Sequence, residues 1–148
     1  MATVAQNFTP ADLLRRFRGQ IFAADPGYPE VLLLKARDAK GGEWWFSTGY
    51  AEYSPSDPGV FLGKTIVAAE IQSSGNLTVG FSDDSCLEVR PIPLPPGDSG
   101  DDLETWDLIA PDGLVVQYGP GERWALEELG RPPGSFRAPA RPAPPAGA

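Results

Sequence analysis

Histidine is absent from this chain of 148 residues, and cysteine occurs once, as Cys86. Without an imidazole, the serine and cysteine triads that depend on one are excluded, and so is every metal site that needs a histidine ligand. A single cysteine allows neither an internal disulfide nor a CxxC metal site, so packing alone must hold the fold. No run of eighteen apolar residues occurs, and Met1 to Thr9 lacks a basic start followed by an apolar stretch. These absences read as a chain without a membrane span or export signal, expected in the cytoplasm.

Basic residues are scarce in the middle of the chain. Between residues 41 and 122 there are fourteen acids and two bases, Lys64 and Arg90, a net of −12. Each flank carries +2, which recovers the total of −8. A field of that sign repels nucleic-acid phosphates and anionic lipid, so neither is an expected partner, and it attracts a basic protein. The simplest alternative is that the acids keep a small domain soluble.

What is present is a pattern stated twice. Phe17-Arg18-Gly19-Gln20-Ile21-Phe22-Ala23-Ala24-Asp25 is echoed by Phe61-Leu62-Gly63-Lys64-Thr65-Ile66-Val67-Ala68-Ala69-Glu70, with one residue added. Each copy leads into two further apolar runs, which predicts two β-meanders, each opened by a Phe-x-Gly corner.

Thr9 and Pro10 predict a helix start over 9–18, with Asp12 at the third helical position and Leu13, Leu14 and Phe17 on one side. The first meander is expected over 19–48. Its Val31 to Leu34 run predicts a central strand buried on both faces. Side chains alternate along a strand, so Trp44 and Trp45 cannot enter the same core. Residues 49–60 show no strand period and are expected as a long loop. The second meander is expected over 61–90. Matching its apolar faces sets Phe81 opposite Leu87 and Val79 opposite Val89, and turns Cys86 away from them. Free cysteines are most often buried small hydrophobes, and Cys86 is read that way. Residues 90–102 form a prolyl linker, a C-terminal hairpin is expected over 103–126, and 123–129 reads as a further strand or a short helix.

The whole is expected to be mainly β, a β-rich α+β fold. Two antiparallel meanders and the hairpin would form a curved sheet, a sandwich or a partly open barrel, with one short N-terminal helix. Residues 1–130 would make a single domain. The tail 131–148, with six prolines, is expected to be disordered.

Several landmarks occur in order: Gly63-x-x-Ile66, Gly75-x-Leu77, Phe81-x-Asp83, Leu87-x-Val89, Trp106-x-Leu108 and Pro111-Asp112-Gly113. The succession resembles a family of small actinobacterial β-rich proteins of unknown function, with an immunity-protein-like character. Its shared positions are turn glycines, core aliphatics and an aromatic, so the resemblance implies a fold and no catalytic residue. Asp84 stands where that pattern has the glycine of an Asp-Gly hairpin.

Catalytic, metal and cofactor roles find no carrier in the sequence. Asp98, Asp101 and Asp102 share a glycine-bearing loop but lack the alternating ligands and distal bidentate acid of a calcium loop. No pair of carboxylates is singled out for glycoside hydrolysis. The expected partner is a protein. Its contacts would be the aromatic anchors Trp45, Tyr50 and Tyr53 and the acids Asp83, Asp84, Asp98, Asp101, Asp102 and Glu104. The reading is a non-enzymatic acidic binding protein, monomeric or weakly homodimeric, most concretely an immunity protein against a basic toxin domain. The alternative is an accessory subunit of a larger bacterial assembly, tethered by its prolyl tail.

Overall fold

A computed structural model describes residues 9–26, 31–49, 51–72, 75–93, 96–97, 104–119 and 124–128. Helix α1, Pro10–Arg16, begins where Thr9 and Asp12 lock its first turn. The Thr9 amide donates to the Asp12 carboxylate over 2.7 Å, and the Thr9 hydroxyl does so over 3.0 Å. Those bonds, the amide first, hold the Asp12 carboxyl below its usual range. Seven residues are too few to be helical alone, so the helix depends on tertiary packing. Leu13, Leu14 and Phe17 supply it, all in the buried core. The Phe17 ring lies 5.4 Å from Trp44 and 6.1 Å from Phe46.

Among the described residues ten strands follow: β1 Gly19–Pro26, β2 Leu32–Arg37, β3 Glu43–Thr48, β4 Ala51–Ser54, β5 Thr65–Ile71, β6 Leu77–Phe81, β7 Cys86–Pro91, β8 Trp106–Ile109, β9 Leu114–Tyr118 and β10 Trp124–Glu128. They make one antiparallel sheet in the order β10-β9-β8-β3-β2-β1-β5-β6-β7-β4. The two meanders meet through their first strands, and the C-terminal pair, extended by β10, lies beyond β3.

The echo in the sequence is a structural repeat. Phe17 and Phe61 are both buried, Gly19 and Gly63 both take positive φ, and the strand after each carries a bulge at the same place. Phe22 is the extra residue between Ile21 and Ala23, and Val67 the extra residue between Ile66 and Ala68. The strand completing each meander comes from the other copy: β4, which follows the first, pairs with β7, and β8, which follows the second, pairs with β3.

That exchange forces curvature. Three Cα steps from Thr48 to Ala51 reach at most about 11 Å, whereas six strand spacings separate β3 from β4 in a flat sheet, about 29 Å. The sheet therefore bends back until its β4 margin lies by β3. No ladder joins those two strands, so it remains a curved sheet and does not close into a barrel. Inside the bend the inward residues of both meanders and the helix form one core.

Four expectations change here. Residues 51–54, read as loop, are strand β4, and Pro58–Phe61 is a short 3-10 helix. Strand β2 is central but buried on one face: Leu32, Leu34 and Ala36 are buried, while Leu33 and Lys35 are only half-buried. Cys86 is exposed, because nothing packs over its side of β7 among the described residues. The β6–β7 register is offset by two residues, pairing Val79 with Leu87 and Leu77 with Val89. The prolyl tail 131–148 lies outside the described residues.

Candidate protein-interaction face

Alternation decides which side chains reach the outer surface of β5, β6, β7 and β4. Leu87 and Val89 point inward, so Cys86, Glu88 and Arg90 point outward. The same rule turns Ala68 and Glu70 outward on β5, Thr78 and Gly80 on β6, and Glu52 and Ser54 on β4. Register then aligns them in rows across the strands. Glu70 is opposite Thr78, Thr78 opposite Glu88, and Glu88 opposite Ser54. The neighbouring row is Ala68, Gly80 and Cys86, flat and small.

Of the three carboxylates on this face, two share one cation. The Arg90 guanidinium lies 3.4 Å from Glu88 and 3.9 Å from Glu52. Glu70 has no ion pair among the described residues. With Thr78 between them, Glu70 and Glu88 are two strand spacings apart, about 10 Å.

Asp83 and Asp84 stand in the turn leading onto this face, and they differ. Asp83 is bound by the Lys64 ammonium and by Ser85. The Lys64 contact, then the Ser85 hydroxyl and amide, hold the Asp83 carboxyl far below the usual carboxylate range. Asp84 is exposed, with φ of 74°.

The other expected contact residues disperse. Tyr53 is half-buried on β4, opposite buried Val89, and packs against the core. Glu104 precedes β8 at the opposite end of the strands from Asp83 and Asp84, beside Gly49. Tyr50, Asp98, Asp101 and Asp102 lie outside the described residues. Trp44 and Trp106 are core, as two of the strand tryptophans.

Trp45 does reach the outer surface, on the other half of the sheet. It is half-buried between Lys35 and Ile109, with the Lys35 ammonium 4.3 Å over its ring and its Nε1 donating to Glu43 over 3.2 Å. The outer surface thus carries Trp45 and Lys35 beside the acids Glu43 and Asp107 on one half, and Glu52, Glu70 and Glu88 on the half made by β5, β6, β7 and β4.

Sequence reasoning missed Glu52, Glu70 and Glu88. The signal was the alternation with inward Tyr53, Ala69 and Leu87, but the rows form only in the observed register. Among the described residues no three acid or cysteine side chains group as a metal cage, and no helix is long and apolar enough to cross a membrane.

These features define a class: a small, mainly β protein, one curved antiparallel sheet with a helix in its bend and an acidic outer half. Comparison of the chain with protein-family models, curated proteins and solved structures finds no match.

Proposed function

We propose that this is a non-enzymatic binding protein whose acidic half-face, Glu52, Glu70, Glu88 and Asp84, receives a basic protein surface. Its most concrete form is an immunity protein that occludes a basic toxin domain. The observation that carries the reading is the row Glu70, Thr78, Glu88, with Arg90 the cation shared by the acids beside it. The acidic middle of the chain, net −12, points the same way.

Electrostatic complementarity acts mainly on the association rate. A partner recovered by pull-down and identified by mass spectrometry is expected to associate about tenfold or more slowly as salt screens the face. The pair Glu70→Lys and Glu88→Lys is expected to slow it similarly at low salt, with an unchanged far-ultraviolet circular dichroism spectrum. A flat dependence on ionic strength, or full-rate binding by the double variant, rejects the reading. Deleting residues 131–148 leaves binding intact here and abolishes it for a tail-tethered accessory subunit.

A further inference from the structure

Five large apolar side chains are exposed among the described residues, and three of them come from one part of the fold: Phe22 at 39 %, Val60 at 41 % and Leu62 at 56 %. The Gly63 amide donates to the Ile21 carbonyl over 2.9 Å, which sets Leu62 beside Phe22. Val60 belongs to the 3-10 helix that packs against β1 and leads into that turn. Apolar side chains scattered singly on a surface are ordinary, but a contiguous group marks a contact.

The internal repeat supplies a control. Arg16-Phe17-Arg18-Gly19 and Val60-Phe61-Leu62-Gly63 are equivalent, since the phenylalanine of each is buried and the glycine of each takes a positive φ. The positions on either side of the phenylalanine hold arginines in the first copy and aliphatics in the second. Each arginine has a task within the fold. Arg16 pairs with Asp112 over 3.2 Å, and Arg18 donates to the carbonyls of Leu14 and Phe17. Polar side chains therefore satisfy these positions, and the fold does not require Val60 or Leu62 to be apolar.

Around this group the cations are already neutralised and the acids are not. The Arg37 guanidinium, 4.3 Å over the Phe22 ring, pairs with Glu43, and the Lys64 ammonium, just beyond Leu62 in the chain, pairs with Asp83. Asp25 lies near the end of β1, Asp57 caps the 3-10 helix, and Asp84 stands in the turn that Lys64 holds through Asp83. All three are exposed and carry no ion pair among the described residues. An apolar patch in that setting complements an apolar side chain that has cationic neighbours.

We infer that Phe22, Val60 and Leu62 are the apolar anchor on which a basic protein surface seats an apolar side chain of its own, flanked by Lys or Arg that meet Asp57 and Asp84. The inference rests on the binding reading above and adds what the acids by themselves lack. Charges set mainly the rate of encounter, whereas buried apolar contacts set the lifetime of a complex. The second copy thus keeps the corner that the fold needs and exchanges two arginines for a surface that a partner can cover.

Three synthetic helical peptides, titrated into the full chain and followed by nuclear magnetic resonance, test it. One is built of lysine with a leucine stripe, one has glutamine in place of the leucines, and one has glutamate in place of the lysines. The lysine–leucine peptide is expected to shift the signals of Phe22, Val60 and Leu62 and to bind at least about tenfold tighter than the lysine–glutamine peptide. The double variant Val60→Gln and Leu62→Gln should remove that gain with an unchanged far-ultraviolet circular dichroism spectrum, because the first copy folds with polar residues at both positions. Equal binding by the two lysine peptides, shifts confined to other residues, or a gain that survives the double variant overturns the anchor and leaves the acidic face standing. So does a lysine–leucine peptide that stays unbound up to about 1 mM. A glutamate peptide that binds as tightly as the lysine–leucine one overturns both.

Discussion

The amide of Leu32 donates to Oγ1 of Thr48 over 2.9 Å, in the buried interior where β2 begins and β3 ends. The two residues stand one step beyond Leu33 and Ser47, the last pair of the β2–β3 ladder, and there the chain leaves β3 for β4, beside the distant strand β7. A hydroxyl thus completes the hydrogen bonding of a strand whose backbone partner is turning away, which a buried amide requires.

Thr48→Val keeps the shape and removes the acceptor. An unsatisfied buried donor costs about 1–3 kcal/mol, and that loss is expected in urea unfolding. Faster hydrogen exchange at the Leu32 amide would locate it; unchanged exchange there would count against this role.

Gly49 makes the crossing from β3. A Cβ at this position would lie 2.2 Å from the Glu104 carbonyl oxygen, and backbone cannot yield as a flexible side chain would. Gly49→Ala is expected to destabilise by about 3 kcal/mol. Gly80→Ala is the contrast, since its Cβ would meet only the Ala68 Cβ at 3.7 Å. It should stay within about 0.5 kcal/mol of the parent. Thermal denaturation of the two variants side by side checks the difference.

Asp38 closes the turn between β2 and β3. Its carboxylate accepts from the amides of Lys40 and Gly42, over 3.0 and 2.8 Å, and from Trp44 Nε1 over 3.2 Å. Partial burial pushes this carboxyl up, but the donors of Gly42, Trp44 and Lys40 outweigh it and hold it below the usual value. A depressed folded value gives stability that is present above the ordinary value near 3.9 and lost as pH falls through the folded one. Asp38→Ala is expected to cost about 1–3 kcal/mol near neutral pH. Denaturant midpoints for the two proteins should converge as pH falls from about 5 to about 2; a constant gap would reject the assignment.

Asp84 occupies the left-handed region with φ of 74°, where a Cβ is a burden. Asp84→Gly is expected to raise stability by about 0.5–1 kcal/mol in chemical unfolding. Asp84→Asn keeps the left-handed preference without the charge and should leave stability nearly unchanged. If the proposed acidic face is right, both variants slow association at low salt by similar amounts.

Much of the fold was legible because it is local. Alternation gave the faces of Val79, Leu87 and Val89 correctly, and Thr9, Pro10 and Asp12 gave the helix start. The β6–β7 offset was not legible, since a slip of two residues leaves every side chain on its own face. The turn decides it: with Asp84 left-handed, three residues, Ser82 to Asp84, close the loop and Phe81 donates to the Ser85 carbonyl over 2.9 Å. Strand β4 was illegible for a different reason. Four residues ahead of a proline carry too little pattern, and they become a strand only because β7 offers an edge.

The candidate face shows the same division. Asp83 and Asp84 were visible as adjacent acids, but only the structure separates them, by giving Asp83 the Lys64 ammonium. Tyr53 was read in a loop and stands instead on strand β4, half-buried against the core, and Glu70 and Glu88 became neighbours of Thr78 through register alone.

By itself the sequence determined the absence of imidazole chemistry and of disulfides, the acidic middle, the β content and a twofold echo. These depend on composition and on contacts within a few residues. Tertiary structure decided that the two copies exchange their completing strands, that the sheet bends around the helix, and which acids share a face. Each of these is a pairing between residues distant in sequence, and short-range periodicity carries no term for such pairings. The Phe-x-Gly echo therefore foretold two meanders, but neither the matching bulges at Phe22 and Val67 nor the exchange of β4 and β8.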